Sequence, residues 1–177
     1  MRKIKAAKIT EAVAEMAKDA NYNLNSDILM AFKNAQKKEK SDLASEILSQ
    51  LRENAKIASE ENMPICQDTG FGVVFLEIGN KVILEGDIYK AVNDGVRKGY
   101  KEGYLRKSIV NDPIKRKNTG DNAPAVIYTE IVEGDEVKIT FAPKGGGSEN
   151  MSQIKMLKPA DGVKGIKNFV LNTVKEA

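Results

Sequence analysis

The chain has 177 residues, of which 28 are basic and 25 acidic, giving a net charge of +3, and it contains one cysteine and no histidine. This length can bury a sizeable core without staples, and so weak a net charge does not by itself indicate a nucleic-acid partner. A single cysteine excludes an internal disulfide, and the lack of histidine excludes Ser-His-Asp and Cys-His catalysis within the chain.

The N-terminal part, residues 1–62, predicts three amphipathic helices, because its apolar residues recur with helical spacing. The first stripe consists of Ile9, Val13, Met16, Ala17 and Ala20. Asn25 or Ser26 could cap a second helix, whose inward-facing residues are Leu29, Phe32 and Ala35. Ser41 could cap a third, with an apolar face formed by Leu43, Ile47, Leu48, Leu51, Ala55 and Ala58. We expect all three stripes to pack in the core.

Strand patterns begin after Pro64, which ends the third helix. Residues 71–78 form an apolar, β-branched run that predicts a buried strand. Gly79-Asn80 marks a turn, after which residues 82–85 are expected to pair back as a hairpin. Asp87 could then cap a helix whose buried face comprises Ile88, Val92, Val96 and Tyr100.

The C-terminal part contains a long polar loop, residues 103–123, in which no period is recognisable. Two further strands, 125–132 and 136–142, are expected as a second pair. A glycine run, Gly145–Gly147, and a final helix over residues 161–175 follow. We expect exposed apolar surface near that last helix.

This order of elements predicts a single α+β domain over residues 1–177. A helical N-terminal segment, 1–62, precedes a small, mostly antiparallel sheet with packed helices in residues 63–177. No apolar run approaches the ~20 residues of a membrane span, and no apolar stretch of a secretory signal follows the basic start. With a single thiol, these features predict a cytoplasmic protein that does not enter a membrane.

Three segments could carry chemistry, and the first surrounds Cys66. A thiolate ligates soft metals and iron–sulfur clusters, or acts as a nucleophile that needs a nearby base. Gln67 and Asp68 add an amide and a carboxylate directly after it. The alternative is an inert, buried thiol beside a polar turn.

The second segment runs from Tyr104 to Asn122 and includes Arg106; it overlaps a basic stretch between Arg97 and Lys117. A guanidinium suits bidentate binding of a carboxylate. The stretch fits an anionic small molecule, a nucleic acid or a solvated face. Few aromatic residues are interleaved with it, so a stacking platform for single strands is poorly supported.

The third segment is the glycine run, where consecutive glycines allow close backbone approach and can present N–H groups to an anion. It matches neither the P-loop nor the dinucleotide-binding pattern. A flexible turn is the alternative interpretation.

Taken together, four segments in this order resemble the class I fumarate hydratases and the related L(+)-tartrate dehydratase alpha subunits. They are Ile65-Cys66-Gln67-Asp68-Thr69-Gly70, Gly103-Tyr104-Leu105-Arg106-Lys107-Ser108, Arg116-Lys117-Asn118-Thr119-Gly120-Asp121-Asn122 and Lys144-Gly145-Gly146-Gly147-Ser148-Glu149-Asn150-Met151-Ser152. Their order and spacing agree along essentially the whole chain, which is a more specific signal than any single motif.

The resemblance implies an iron–sulfur hydro-lyase that interconverts a hydroxy dicarboxylic acid and its unsaturated product, as malate and fumarate in the tricarboxylic acid cycle. It implies an oxygen-sensitive [4Fe–4S] cluster held by three cysteines, with one iron open to act as a Lewis acid. Cys66 would be one cluster ligand. Gln67 and Asp68 would be catalytic residues against the substrate, Arg106 would clamp a carboxylate, and Gly146 and Gly147 would approach the substrate through backbone N–H groups.

The chain departs from that family in having one cysteine where the cluster needs three. In the family the other two lie beyond the position of residue 177, and further site residues belong to a C-terminal domain or beta subunit. The resemblance therefore implies a truncated alpha subunit, a fragment or one piece of a more finely split enzyme, which forms an oligomer and is inactive without the missing half or a partner subunit. The alternatives are an L-tartrate dehydratase subunit, a non-catalytic binding or assembly module and, with less support, a nucleic-acid binder.

Overall fold

A computed structural model describes the backbone of all 177 residues and the side chains of all except residues 148 and 149. The chain forms two compact units, Met1–Gly145 and Gly146–Ala177. The expectation that residues 1–177 form a single domain stays a prediction.

The first unit contains five strands and four α-helices. In chain order they are β1 (Arg2–Lys5), α1 (Ala6–Tyr22), α2 (Ser26–Lys38), α3 (Asp42–Glu61), β2 (Phe71–Gly79), β3 (Val82–Glu85), α4 (Ile88–Glu102), β4 (Val126–Val132) and β5 (Val137–Lys144). Two expected caps are confirmed, since Ser41 and Asp87 accept hydrogen bonds from the N–H groups of Ala44 and Lys90 at 3.4 and 2.9 Å. Strand β1 was not predicted.

The α+β class is confirmed, but the expected mostly antiparallel sheet is wrong. The main sheet has the order β4-β2-β5, in which β2 runs parallel to β4 and antiparallel to β5. A second, two-stranded sheet pairs β1 with β3 in parallel. Two of the three strand pairings are therefore parallel.

Both expected strand pairs are also wrong, because neither β2 and β3 nor β4 and β5 are neighbours. The backbone N–H groups of the tight turn expected between β2 and β3 instead donate to the segment that contains the end of β4 and the loop before β5. The N–H groups of Gly79, Asn80 and Lys81 donate to the carbonyls of Glu136, Val132 and Gly134. These bonds fasten the end of β2 between β4 and β5, and the chain then continues into β3, beside β1.

The core lies between the main sheet and helices α1 and α4. Alternate residues of β2 are buried, as a strand with one covered face requires. From α4 the core receives Val92, Val96 and Tyr100, each with no exposed surface, so the predicted face of that helix is confirmed. Gly95 lets α4 approach α1 closely, since a Cβ there would lie 2.6 Å from the carbonyl oxygen of Thr10.

Helices α2 and α3 pack less deeply than expected. The first stripe does reach the core through Ile9, Val13 and Ala17. In α2, whose residues are all described, none is buried, and in α3 only Ala55 and Ala58 are. The expectation that the other two stripes fill the core is therefore wrong. Helical spacing reveals an apolar face but does not reveal what that face contacts.

The second unit contains two short 3-10 turns, Ser148–Met151 and Pro159–Asp161, and helix α5 (Gly162–Glu176). The predicted final helix is therefore confirmed. In α5, which is described throughout, no residue is buried, and Val163, Val170 and Val174 are all exposed. In the part of the chain that the structure describes, no helix combines the length and apolar character needed to cross a bilayer.

Candidate functional site

The segment around Cys66 forms a turn between α3 and β2, which we call the site turn (residues 65–70). Hydrogen bonds to helices α1 and α3 fix the start of this turn. The N–H of Ile65 donates to the carbonyl of Asn21 in α1 at 3.0 Å. The side-chain amide of Asn54 in α3 donates to the carbonyl of Ile65 at 2.8 Å. The turn therefore enters the site from a defined position.

Two hydrogen bonds shape the site turn from within. The thiol of Cys66 donates to the carbonyl of Asp68 at 3.2 Å, and the carboxylate of Asp68 accepts from the N–H of Gly70 at 3.1 Å. Cys66 and Gln67 are exposed and Asp68 is half-buried, whereas Thr69 and Gly70 are buried. The exposure of Cys66 rules out the interpretation of an inert, buried thiol.

The end of the site turn is joined to the segment that carries Arg106. The hydroxyl of Thr69 donates to the carbonyl of Arg106 at 3.1 Å, and the hydroxyl of Tyr100 donates to the carbonyl of Thr69 at 2.9 Å. Arg106 itself is exposed. Its backbone is thus fixed against the turn while its side chain faces solvent.

Asn122 provides a further link at the same place. Its side-chain oxygen accepts hydrogen bonds from the N–H groups of Ser108 and Ile109 at 2.6 and 3.1 Å. Its side-chain nitrogen donates to the carbonyl of Gly70 at 3.0 Å. The residue has no exposed surface, so these bonds lie away from water.

The polar loop between these segments folds back on itself. Val110 and Asn118 form an antiparallel bridge, and the side-chain amide of Asn118 donates to the carbonyl of Lys107 at 2.8 Å. The carboxylate of Asp112 accepts from the N–H groups of Ile114 and Lys115 and closes the tip. This folding returns the chain to the site turn at Asn122.

The start of the glycine run lies against the site turn. A Cβ on Gly70 would come within 2.4 Å of the backbone carbonyl of Lys144, and a Cβ on Gly145 within 2.8 Å of the Asp68 carboxylate. Gly146 and Gly147 belong to the second unit, where their carbonyls accept hydrogen bonds from Asn150. Their role toward a substrate stays a prediction.

Part of the basic stretch is neutralised by ion pairs. Arg97 contacts the carboxylates of Asp121 and Asp94 at 2.7 and 3.1 Å, and Lys98 pairs with Glu11. The guanidinium of Arg97 lowers the pKa of Asp121, because a neighbouring positive charge favours the carboxylate. These pairs leave the stretch less cationic than its sequence suggests.

A cleft of about 780 Å³ lies between α2 and α3, lined by residues such as Leu29, Lys33 and Arg52, and no predicted site residue lines it. Among the described side chains, no group of three or more His, Cys, Asp or Glu residues could hold a metal ion. Cys66 can therefore supply one bond to a cluster, and the described residues do not complete a ligand set.

Sequence reasoning missed the residues that hold the site together. Tyr100 was predicted only as a core residue, and Asn122 only as the end of a motif without a role. Asn21 and Asn54 were not singled out at all. Asn21 contacts the site turn through its backbone carbonyl, so no residue type signals this contact. The hydroxyl of Ser108, which was quoted only as the end of a motif, is buried without a hydrogen-bond partner among the described residues.

Comparison with known proteins identifies close relatives along most of the chain. Residues 10–177 match the family described as fumarate hydratase (Fumerase). A protein of Methanocaldococcus jannaschii that carries the provisional name L(+)-tartrate dehydratase subunit alpha is 44% identical over 179 residues, covering 96% of this chain and 62% of its own. The L(+)-tartrate dehydratase alpha subunits of Escherichia coli strains UTI89 and K12 are 28% identical over 170 residues, covering 94% of this chain and 56% of their own. The chain thus spans less than two thirds of the length of these relatives.

Proposed function

The chain belongs to the fumarate hydratase (Fumerase) family, and we propose that it is part of a hydro-lyase that interconverts a hydroxy dicarboxylic acid and its unsaturated product. The family match confirms the resemblance drawn from the four sequence motifs. The observation that carries the proposal is the convergence of those motifs: Thr69 bonds to Arg106, Asn122 bonds to Gly70, and Gly145 lies against Asp68.

In this proposal Arg106 binds a carboxylate of the substrate. Its guanidinium presents a planar fork of donors that matches a carboxylate, and its exposure leaves it accessible. Gln67 is exposed and Asp68 is half-buried in the site turn, and in this proposal they contact the hydroxyl or a second carboxylate of the substrate. Gly146 and Gly147 approach the substrate through backbone N–H groups. The assignments of these five residues follow from the family resemblance.

Cys66 is proposed as one ligand of a [4Fe–4S] cluster. Its exposed thiol supports this role, because a ligand must reach a group outside its own chain segment. The residues of this chain do not fit a complete cluster, since no described group of three ligands is present. We therefore propose that the other ligands come from residues outside this sequence and that the chain alone is inactive.

A partner is proposed on the same grounds. The relatives are named alpha subunits, which favours a beta subunit, or a C-terminal domain, that supplies further site residues within an oligomer. A single exposed thiol is compatible with the reducing cytoplasm, where we propose that the enzyme acts. If no such assembly turns over a diacid, a non-catalytic assembly module becomes the better interpretation.

Two substrates are candidates. The family name favours malate and fumarate, whereas the names of the similar proteins favour L(+)-tartrate. Malate and tartrate each carry two carboxylates, and tartrate has a second hydroxyl. Anaerobic assays of the chain together with its partner, using L-malate, fumarate and L(+)-tartrate separately, test the proposal. Turnover of one or more of these diacids supports it, and no turnover of any of them by a cluster-loaded assembly contradicts it.

A further inference from the structure

Asn122 is a fully buried polar side chain beside the site turn. Three hydrogen bonds join it to two segments that lie far apart in sequence, the carbonyl of Gly70 on one side and the N–H groups of Ser108 and Ile109 on the other. A buried side-chain amide with good partners fixes geometry, because any displacement leaves a polar group unpaired away from water.

The bonds of Asn122 complete a set that immobilises the backbone around Arg106. The carbonyl of Arg106 accepts from Thr69, and the carbonyl of Lys107 accepts from Asn118. Asn122 then holds the next two N–H groups. The root of the Arg106 side chain is therefore fixed relative to the site turn, although its guanidinium is exposed.

The backbone at Asn122 is also restrictive. Its φ angle is +58°, in the left-handed region where asparagine and glycine are favoured over other residues. A single asparagine thus meets a conformational requirement and a hydrogen-bonding requirement together. These two requirements can be separated by mutation.

We propose that Asn122 is a positioning residue that sets the spacing between Cys66 on the site turn and Arg106 on the following loop. This inference rests on the proposed function, because the spacing between Cys66 and Arg106 matters only if one substrate contacts both Arg106 and a cluster bound at Cys66. Misplacement of a substrate-binding group by about 1 Å can cost on the order of 100-fold in rate. Asn122 touches neither the substrate nor Cys66 in this proposal and acts through the backbone of its partners.

Two variants distinguish its roles. Asn122→Gly keeps the left-handed backbone and removes all three hydrogen bonds. Asn122→Asp keeps an acceptor for Ser108 and Ile109 but, when ionised, replaces the donor to Gly70 with a buried carboxylate oxygen that repels the Gly70 carbonyl. Asn111→Gly is the control, because Asn111 is an exposed asparagine of the same loop.

The first measurement needs no cluster or substrate. Amide hydrogen exchange and the alkylation rate of Cys66, the only thiol, are recorded on the chain as it exists. We expect Asn122→Gly to speed exchange at Ser108 and Ile109 about tenfold, as the loss of a buried hydrogen bond implies, and to change the alkylation rate at least about twofold. Exchange in β2 should match the control variant. Unchanged exchange at Ser108 and Ile109, or an unchanged thiol rate, would overturn the inference.

The second measurement uses the assembly with its partner. We expect Asn122→Asp to raise KM or lower kcat by about tenfold or more. The assays are run at a temperature low enough that Asn122→Asp is as fully folded as the control Asn111→Gly. An active wild type whose Asn122→Asp variant has unchanged KM and kcat would overturn the positioning role while leaving the proposed function intact. An inactive, cluster-loaded wild type would instead contradict the proposed function, and exchange and thiol reactivity would still decide whether Asn122 fixes the turn.

Discussion

The hydroxyl of Tyr100 donates a hydrogen bond to the backbone carbonyl of Thr69, 2.9 Å away. Tyr100 lies in α4 with no exposed surface, and Thr69 lies in the site turn, so this bond couples the core directly to the site. Burial raises the pKa of Tyr100 to about 12, because the phenolate is disfavoured away from water. The hydroxyl therefore remains a donor across the neutral range.

Replacing this hydroxyl should destabilise the chain without unfolding it. We expect Tyr100→Phe to lower the free energy of unfolding by about 1–2 kcal/mol, because the carbonyl of Thr69 loses a buried partner. Tyr104→Phe is the control, since Tyr104 is 91% exposed. Urea denaturation followed by circular dichroism measures both variants. Equal stability of the two would show that the Tyr100 bond contributes little.

The raised pKa of Tyr100 predicts a loss of stability at high pH. A group whose folded-state pKa exceeds its unfolded value, about 10 for tyrosine, contributes stability that is fully present below pH ~10 and is lost as pH rises toward 12. The pKa of Lys18 and of Lys98 is raised as well, and both act in the same direction. The comparison with Tyr100→Phe isolates the tyrosine. We expect the wild type to lose more stability than this variant between pH ~10 and 12, and parallel curves would contradict the assignment.

Gly70 is required by a close approach as well as by its backbone angle. Its φ is +65°, and a Cβ would lie 2.4 Å from the backbone carbonyl of Lys144. Gly120 has a φ of +82° with nothing within 4 Å of a Cβ, so it reports the conformational cost alone. We expect Gly120→Ala to cost about 1 kcal/mol and Gly70→Ala distinctly more, about 3 kcal/mol or above. Denaturation midpoints check this, and similar losses in both variants would remove the contact with Lys144 from the explanation.

The proposed role of Arg106 predicts an effect on substrate binding. Arg106→Lys replaces a bidentate fork with a point charge, so we expect KM for the diacid to rise about tenfold or more in the active assembly. Arg116→Lys is the matched control, because Arg116 is an exposed arginine of the same loop. Steady-state kinetics on both variants provide the test. Unchanged KM and kcat in Arg106→Lys would remove Arg106 from the site.

Most local elements were predictable because they depend on neighbouring residues, although strand β1 was missed. Helix α4 was anticipated with its cap Asp87 and its buried face, since both follow from spacing along one segment. Strand pairing was not predictable in this way. The sequence of residues 82–85 predicts the second arm of a hairpin, yet β3 pairs with β1, from which three helices and β2 separate it along the chain. Such partners are set by tertiary packing, which a local pattern does not contain.

The site was predictable as a set of motifs but not as a structure. Cys66, Asp68 and Arg106 were singled out from the sequence, and the structure joins their segments. Asn122 and Tyr100 connect those segments through backbone carbonyls and N–H groups. Hydrogen bonds to the backbone leave no requirement on the partner's side chain, so no pattern of residue types reveals them.

The most direct test of the central proposal is anaerobic iron–sulfur reconstitution of the chain alone and together with the product of the neighbouring coding sequence, each as wild type and as Cys66→Ala. Visible absorption reports the cluster, and assays with malate, fumarate and tartrate report turnover. We predict a cluster and activity only in the wild-type assembly, with Cys66→Ala still folded by circular dichroism but inactive. A Cys66→Ala assembly that turns over at the wild-type rate would contradict the role of Cys66 as a cluster ligand. A wild-type assembly that forms no cluster would contradict the iron–sulfur hydro-lyase itself.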